Sequence, residues 1–530
     1  MLIRYSLLWL LVSSLVVSAK SDKPNIIFIL ADDMGYGDMS NAGGKVPTVN
    51  CDRLVNEGMK FTDAHTSSSV CTPTRYGILT GRYNWRSKKK SGVLNGFSDP
   101  LIPVERQTVA GYLKTQGYHT GMVGKWHLGI GWQKLPNGEV VTPSADLRTE
   151  KWKKKKSKRS PYSGRWNVDY TKPVVGPVAN GFDYFFGIAA SLDMAPYVYI
   201  ENDKAVAPAN VINAFGIPHR PGPASKDFDA MNCLTDFASK SRSYIKERAR
   251  DKEKPFFLYL PLTSPHTPIL PSPRWQGKSS LGSYGDFLLE TDWVIGEVLA
   301  ELDAQGIAEN TLIVFTADNG CSPEANIPEL TEKGHKPNAD WRGHKADIFE
   351  GGHRVPFLVR WPAQVKSGSK TNGTVCTTDF FRTVVDVLAN KAGVLDNVAE
   401  DSYSFLPLLQ ETGDTARKTT IHHTINGSFA IREGKWKLNL CPGSGGWSSP
   451  RPSDKKALEG LPVIQLYDLE ADPAEENNLQ AEHPEMIQRL VSQLASEIKN
   501  GRSTEGKKQM NDGAIPFKKD LLEMFPILTN

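Results

Sequence analysis

Uninterrupted apolar runs mark three predicted strands, at residues 25–30, 256–262 and 311–316. Such runs are typical of a parallel sheet, because helices cover both of its faces and leave no polar side. Between the second and third runs, apolar residues over 286–305 recur on one helical face, and Gly306 supplies a stop signal. Strands that alternate with helices predict an α/β fold with a large, mostly parallel sheet flanked by helices.

The pattern changes towards the C-terminus. Residues 428–439 and 463–469 are typical of antiparallel strands, and a helix is predicted over 484–498. We therefore predict a main α/β domain over residues 20–395. A smaller α+β domain with an antiparallel sheet is expected over 396–530, including a C-terminal tail.

The first 19 residues are expected to be a cleaved signal peptide. Arg4 supplies a positive charge, residues 7–17 form a short apolar run, and Val17-Ser18-Ala19 fits the small-residue rule for cleavage. The run is too short to span a bilayer comfortably, and no later stretch is typical of a membrane span. The protein is therefore expected to be exported, either to the periplasm or extracellular space or, in a eukaryote, along the lysosomal or secretory route.

Composition and charge exclude several classes of protein. The chain has 530 residues, 39% hydrophobic and 23% charged, which is unlike a disordered or fibrous protein. Its six cysteines form neither a zinc pattern nor a disulfide framework, and if Cys71 has a chemical role, at most two bridges can form among the rest. Of the net charge of +4, residues 151–159 contribute seven basic residues, so the remainder is acidic. This run is either a solvated surface loop or a patch that attracts a polyanion.

The segment Cys71-Thr-Pro-Thr-Arg75 combines a reactive side chain with features that favour an anion. Thr72 is predicted to be the N-cap of a helix, and Pro73 is suited to its first turn. The first amides and the dipole of such a helix favour a negative group beside Cys71, and Arg75 adds planar donors that match an oxyanion. The alternative is a buried cysteine before a proline-initiated helix, and the residues alone leave both interpretations open.

Polar pairs follow two of the predicted strands. Asp32 and Asp33 come after the first run, and Asp318 and Asn319 come after the third. The carboxyl ends of parallel strands are where ligand sites form in such sheets. Carboxylate and amide oxygens suit calcium or magnesium. Either pair alone is better explained by turn or capping chemistry, but two pairs at equivalent strand ends favour a metal site.

Four basic side chains are further candidates. Lys125 and His127 lie in Gly-Lys-Trp-His, and an extended segment would place both on one face. His266 lies between two prolines, and Lys345 lies in Arg-Gly-His-Lys-Ala. Without further context, Lys125 and His127 are better explained as a surface lysine and a structural histidine, and His266 as a solvent-facing loop histidine.

Taken together, these segments resemble the type I, formylglycine-dependent sulfatases, an arylsulfatase-like family within the alkaline phosphatase superfamily. The likeness spans most of the chain, from Pro24 to residues 466–469. The segments that carry it most specifically are Cys71-x-Pro-x-Arg75, Leu79-Thr-Gly-Arg82, Gly124-Lys-Trp-His127, Thr316-Ala-Asp-Asn-Gly320 and Glu350-Gly-Gly-His-Arg-Val-Pro356.

The resemblance assigns roles to the candidate residues. It implies that a formylglycine-generating enzyme oxidises Cys71 and that the aldehyde hydrate is the nucleophile. One calcium ion per chain is then held by residue 71 with Asp32, Asp33, Asp318 and Asn319. Arg75, Lys125, His266 and Lys345 are expected to hold the sulfate, His266 or Lys345 to protonate the leaving alcohol, and His127 to act as base. His344 stands where a glycine is common in the family, which affects the local geometry around Lys345.

The function implied is hydrolysis of a sulfate ester by the main domain, with aryl sulfates as artificial substrates. A sulfated carbohydrate is the expected substrate class, and neither nucleic acid nor a membrane is an expected partner. Two alternatives are a phosphonate or phosphodiester hydrolase of the same superfamily and an inactive sulfoglycan-binding protein.

Overall fold

The computed structural model describes residues 23–135, 167–213, 222–389, 393 and 395–529. The predicted signal peptide and the basic run at 151–159 lie outside these residues, so both stay predictions. Within the described ranges, no helix has the length and apolar character needed to cross a membrane. All six cysteines lie within the described ranges, and each is a buried free thiol.

The strands are β1 (Asn25–Asp32), β2 (Met59–Phe61), β3 (Ala64–His65), β4 (His119–Lys125), β5 (Tyr184–Ile188), β6 (Ile200–Glu201), β7 (Lys204–Ala205), β8 (Val211–Asn213), β9 (Gly222–Ala224), β10 (Phe256–Pro265), β11 (Thr311–Ala317), β12 (Phe357–Arg360), β13 (Ser369–Thr371), β14 (Val375–Cys376), β15 (Thr419–His423), β16 (Phe429–Glu433), β17 (Trp436–Asn439) and β18 (Gln465–Asp468).

The α-helices are α1 (Val49–Asn56), α2 (Cys71–Thr80), α3 (Val109–Thr115), α4 (Cys233–Arg248), α5 (Ser283–Ala304), α6 (Ile327–Glu332), α7 (Glu350–His353), α8 (Phe380–Ala389), α9 (Leu406–Leu409), α10 (Lys455–Leu458), α11 (Pro484–Asn500) and α12 (Lys519–Met524).

The large sheet confirms the predicted α/β fold. Its ten strands run in the order β13-β2-β12-β11-β1-β10-β4-β5-β6-β7. The central strands from β11 to β5 are parallel, and antiparallel pairs flank them on both sides. The three apolar runs of the sequence correspond to β1, β10 and β11, so the mostly parallel centre is the part that the sequence predicts.

The apolar run of β1 is continuous because the strand packs on both faces. Ile27 and Ile29 belong to a core that includes α4 and α5. Phe28 and Leu30 belong to a second core that includes α2, α3 and α8. Every residue of β1 after Asn25 is buried, as expected for a strand sandwiched between two helical layers.

A separate four-stranded antiparallel sheet, in the order β15-β16-β17-β18, confirms the prediction for the C-terminal part. The segment 428–439 forms two strands, β16 and β17, joined at Gly434, whose φ of 56° permits the tight turn. Helix α11 packs Leu490 and Leu494 into a core shared with this sheet. The domain boundary at 395/396 stays a prediction.

The register of the large sheet aligns the ends of its central strands. Ala31 of β1 pairs with Ala317 of β11, and Asp32 pairs with Pro265 of β10. Strand β4 pairs with β10 and ends at Lys125. Side chains that follow these four strands therefore meet at one edge of the sheet.

Candidate active site

The two acidic pairs converge at this edge. Asp32, Asp33, Asp318 and Asn319 are all at most 1% exposed. The backbone N–H of Asp33 donates to Asp318 Oδ1 at 3.1 Å, and Asn319 Nδ2 donates to Asp33 Oδ1 at 2.7 Å. Asp33 adopts a left-handed backbone conformation with φ of 65°, which turns the chain at the end of β1. The fold thus brings the two pairs together at the carboxyl ends of the parallel strands.

Cys71 is the first residue of α2, and its side chain lies near Asp32 and Asp33. One ligand atom from each of Asp32, Asp33, Cys71 and His266 lies within 4.8 Å of the others. The backbone of Val70 before the helix is extended, and every residue of α2 is buried. The N-terminus of a buried helix therefore faces this cluster, where its dipole favours negative charge.

The predicted role of Thr72 as N-cap is wrong. The helix begins at Cys71, two residues earlier than predicted, and Val70 occupies the cap position without a side-chain hydrogen bond. The hydroxyl of Thr72 instead donates to the carbonyl of His127 at 2.9 Å and accepts from the N–H of Leu94 at 3.1 Å. Contacts with two other segments thus outcompete the local capping bond.

Arg75 lies one turn after Cys71 and is fully buried. Its Nε and Nη2 donate to the same oxygen, Asp318 Oδ2, at 3.0 and 2.7 Å, and its Nη1 donates to the carbonyl of Lys125 at 3.0 Å. Burial disfavours the charged guanidinium, but Asp318 and Asp32 outweigh it and raise the pKa of Arg75. The charge of Arg75 is therefore fixed beside residue 71.

Two lysines each contact one of the paired acids. Lys125 Nζ donates to Asp32 Oδ2 at 2.5 Å, and Lys345 Nζ donates to Asp33 Oδ2 at 2.7 Å. Burial disfavours ionisation of Asp32, but a ring of cations headed by Lys125 holds the pKa of Asp32 well below its usual range. Burial and the neighbouring Asp32 raise the pKa of Asp318 to about 6, against the effect of Arg75.

His127 is neutral and carries an available lone pair. Burial, Lys125 and Arg75 all hold the pKa of His127 well below its usual range. Its Nε2 lies 2.8 Å from the carbonyl of Leu94, which can only accept, so Nε2 carries the proton. The buried Nδ1 has no hydrogen-bond partner. The predicted extended geometry is wrong at this residue, because β4 ends at Lys125 and His127 has φ of 57°.

His266 has the opposite charge state. Its side chain is buried, and its Nε2 lies 3.6 Å from Asp33 Oδ2. Burial and Lys345 disfavour the imidazolium, but Asp33 and Asp32 outweigh both and raise the pKa of His266 to about 9. The site thus holds one cationic histidine, His266, and one neutral histidine, His127, at neutral pH, a pairing suited to acid and base catalysis.

The donor set fits a hard divalent cation. Asp32 Oδ1 and Asn319 Oδ1 are buried oxygens without a hydrogen-bond partner, and both belong to the predicted ligand residues. Three carboxylates and one amide oxygen around such atoms match calcium better than a softer metal. An ion would also supply the partner that these buried oxygens lack.

Sequence reasoning missed two features of the site. The carbonyl of Leu94 that orients His127 is a backbone group, so no residue type marks it. Trp447 lies with its ring centroid 6.0 Å from Lys345 Nζ. A single tryptophan in the glycine- and serine-rich segment 441–450 is a signal that could have drawn attention to it.

Comparison with known proteins agrees with this geometry. Residues 24–390 match the Sulfatase family. The chain is 34% identical to the N-acetylgalactosamine-6-O-sulfatase of Bacteroides thetaiotaomicron, over 90% of this chain and 93% of that protein. It is 30% identical to human arylsulfatase A, over 96% of this chain and 94% of that protein.

A solved structure supports the same relationship. It comes from work on the metabolism of multiple glycosaminoglycans by Bacteroides thetaiotaomicron, and it superposes with a TM-score of 0.74 and 32% identity. The alignment covers 90% of this chain and 99% of that one. The chain therefore belongs to the sulfatase family, and it is a sulfuric ester hydrolase.

Proposed function

We propose that this protein hydrolyses a sulfate ester of a carbohydrate, with a formylglycine made from Cys71 as nucleophile and one calcium ion in the acidic cluster. The observation that carries the proposal is the position of Cys71. Its sulfur lies in one cluster with Asp32, Asp33 and His266. Exported or lysosomal action and maturation by a formylglycine-generating enzyme belong to the same proposal.

Calcium and formylglycine would each supply one kind of chemistry at this site. Bound calcium, held by Asp32, Asp33, Asp318, Asn319 and residue 71, would withdraw charge from the sulfate oxygens and from the attacking hydroxyl. Hydrated formylglycine would offer one hydroxyl to attack sulfur and a second whose deprotonation releases the sulfate.

The cations of the chain position the sulfate. Arg75, Lys125 and Lys345 are buried and have their charged ends on the carboxylates that surround residue 71. Donors that are fixed before the substrate arrives need little reorganisation as charge develops on the sulfate oxygens. The low exposure of the three side chains strengthens this effect, because water screens them little.

The two histidines divide the proton transfers. His266 carries a proton at neutral pH, so it can donate to the oxygen of the leaving alcohol, and Lys345 is the second possible donor. His127 is neutral with Nδ1 unprotonated, so it can accept the proton of the second hydroxyl at residue 71. Both steps then occur without any group leaving its preferred charge state beforehand.

Two relatives favour a carbohydrate substrate. One is named for N-acetylgalactosamine 6-O-sulfate, and a solved neighbour comes from work on glycosaminoglycan metabolism. The proposal that this chain also acts on a carbohydrate rests on 34% identity to the first of them along nearly the whole length of the chain.

The test is a mass spectrum of the tryptic peptide 61–75 together with turnover of para-nitrophenyl sulfate. We expect an aldehyde or its hydrate at residue 71 in active protein, and no turnover in Cys71→Ala. Cys71→Ser retains one hydroxyl but lacks the second, so we expect it to be trapped or inactive. Turnover by protein whose residue 71 is still a thiol would overturn the mechanism.

A parallel assay separates the sulfatase from its superfamily alternative. Aryl sulfate and aryl phosphonate are offered to the same preparation, with Cys71→Ala as the blank for both. A higher kcat/KM for the phosphonate would favour the phosphonate hydrolase. Binding of sulfated sugars without any turnover by formylglycine-containing protein would favour the inactive sulfoglycan-binding protein.

A further inference from the structure

We infer that Trp447 forms a stacking surface for the sugar ring that carries the sulfate. This inference rests on the proposed function and adds a substrate contact from the loop 441–450, which follows β17 of the C-terminal sheet. The ring centroid of Trp447 lies 6.0 Å from Lys345 Nζ, and that ammonium lies 2.7 Å from Asp33 Oδ2. An aromatic face therefore stands beside the group that is proposed to hold the sulfate.

Asp347 holds the loop of Trp447 in place. Its Oδ1 accepts from the N–H groups of Trp447 and Ser448 at 2.7 and 3.0 Å, and its Oδ2 accepts from Ser448 Oγ at 2.6 Å. The same Oδ2 accepts from the N–H of His344 at 3.0 Å. One buried carboxylate thus ties the loop of Trp447 to the backbone of His344, the residue that precedes Lys345.

Close backbone packing fixes the loop further. A Cβ on Gly446 would lie 2.3 Å from the carbonyl oxygen of Ala346 and 2.5 Å from Asp347 Oδ1, so only glycine fits there. The N–H of Ile348 also donates to the carbonyl of Ser444 at 2.8 Å. The loop 441–450 is therefore packed directly on the segment that carries Lys345.

Trp447 remains half-buried, whereas Trp85 and Trp126 are each only 1% exposed and fill the core. A half-buried indole offers a flat, rigid and largely apolar surface at small entropic cost. A pyranose has a complementary face of C–H groups, and the two surfaces make contact at about 4 Å. A sugar whose sulfate reaches Lys345 thus lies within reach of the indole.

The test compares how tightly small anions inhibit turnover of para-nitrophenyl sulfate. The probes are inorganic sulfate and a set of three sugars, namely N-acetylgalactosamine, galactose and glucosamine, each sulfated on its primary hydroxyl. In the wild type, we expect at least one sulfated sugar to have a lower inhibition constant than inorganic sulfate. In Trp447→Ala, that constant should rise about tenfold while the constant for inorganic sulfate changes by less than about twofold.

Two further variants separate stacking from general damage. Trp447→Phe retains an aromatic face and should recover most of the sugar affinity. Trp436→Ala removes a half-buried tryptophan of β17 that packs against His483 with ring centroids 4.8 Å apart, and it should leave both constants unchanged. Formylglycine content is measured in every variant, so that a loss of maturation is not mistaken for a loss of binding.

Two outcomes would overturn the inference. In one, no sulfated sugar binds the wild type more tightly than inorganic sulfate does. In the other, Trp447→Ala weakens sulfate and sulfated sugar equally. Absence of aryl sulfate turnover in the wild type would instead count against the proposed function, and calorimetric binding of the same sugars would still test Trp447.

Discussion

Arg75 and Asp318 form a buried ion pair in which two nitrogens of one guanidinium, Nε and Nη2, meet a single carboxylate oxygen at 3.0 and 2.7 Å. Removal of one partner from such a pair leaves an uncompensated charge in the core. We expect Arg75→Ala to lower the free energy of unfolding by about 3 kcal/mol. We also expect it to lower kcat/KM for an aryl sulfate by at least about 100-fold. Urea unfolding and steady-state kinetics measure the two effects.

The matched control is Arg53→Ala. Arg53 pairs with Glu57 at 2.7 Å, but both side chains are about one-third exposed, so its loss should cost less than about 1 kcal/mol. Equal unfolding midpoints for Arg75→Ala and the wild type would contradict the prediction.

Calcium should stabilise the folded protein through the acidic cluster. A ligand that binds only the native state adds about 2.7 kcal/mol at a concentration of 100 times its Kd, so Tm should rise as calcium is added. Asp318→Asn removes one proposed ligand charge and should reduce or abolish this rise. Asp303→Asn, on a side chain that is 46% exposed, should behave as the wild type. If calcium raises the Tm of Asp318→Asn as much as it raises that of the wild type, the acidic cluster is not the calcium site.

Loss of His127 should separate the two halves of the reaction. His127→Gln keeps a donor for the carbonyl of Leu94 but provides no base for the second proton transfer. Alcohol release should then continue for one turnover and stop, because sulfate stays attached to residue 71. Rapid mixing with para-nitrophenyl sulfate should show a burst close to one product per active site. A slow, linear release without a burst would assign the base to another residue.

Acid should destabilise the fold through buried histidines. Burial lowers the pKa of His423 from 6.5 to about 4, against the effect of its hydrogen bond to the carbonyl of Thr424. The unfolded chain binds the proton more tightly than the folded chain does. The contribution of neutral His423 to the free energy of unfolding is therefore fully present above pH 6.5 and is lost as the pH falls towards 4. The pKa shift corresponds to about 3 kcal/mol over this window. His65, His353 and His422 are shifted in the same direction and add to the loss.

Unfolding by urea between pH 4 and pH 7 measures this dependence. His423→Phe should flatten the curve, whereas His483→Gln, at a partly exposed side chain next to α11, should leave it unchanged. A stability that is constant over this range would contradict the assigned charge states.

The apolar runs of β1, β10 and β11 allow much of the site to be predicted from sequence. Residues after parallel strands must meet at one sheet edge, so Asp32 and Asp318 could be brought together without any structure. The approach of Lys345 to Asp33 depends on the path of the loop between α6 and α7, and sequence periodicity carries no information on such a path. The assignment of Lys345 to the site came only from the resemblance to the sulfatases.

Local rules fail where tertiary contacts outweigh them. Thr72 has the right residue type for an N-cap, but its hydroxyl bonds to the backbone of two other segments. His127 should continue the alternation of β4, but a left-handed backbone turns it towards the carbonyl of Leu94. Trp447 reaches the site because a buried Asp347 holds its loop, and that pairing joins residues 100 positions apart.

The complete burial of α2 has a consequence for biosynthesis. Cys71 is 2% exposed, and each of the nine helical residues after it is also buried. The proposed oxidation of Cys71 requires a modifying enzyme to reach this thiol, and the packed helix does not expose it. If the proposal holds, we expect the oxidation of Cys71 to be finished before the chain folds. Protein that folds with its thiol intact should remain inactive when the modifying enzyme is added afterwards.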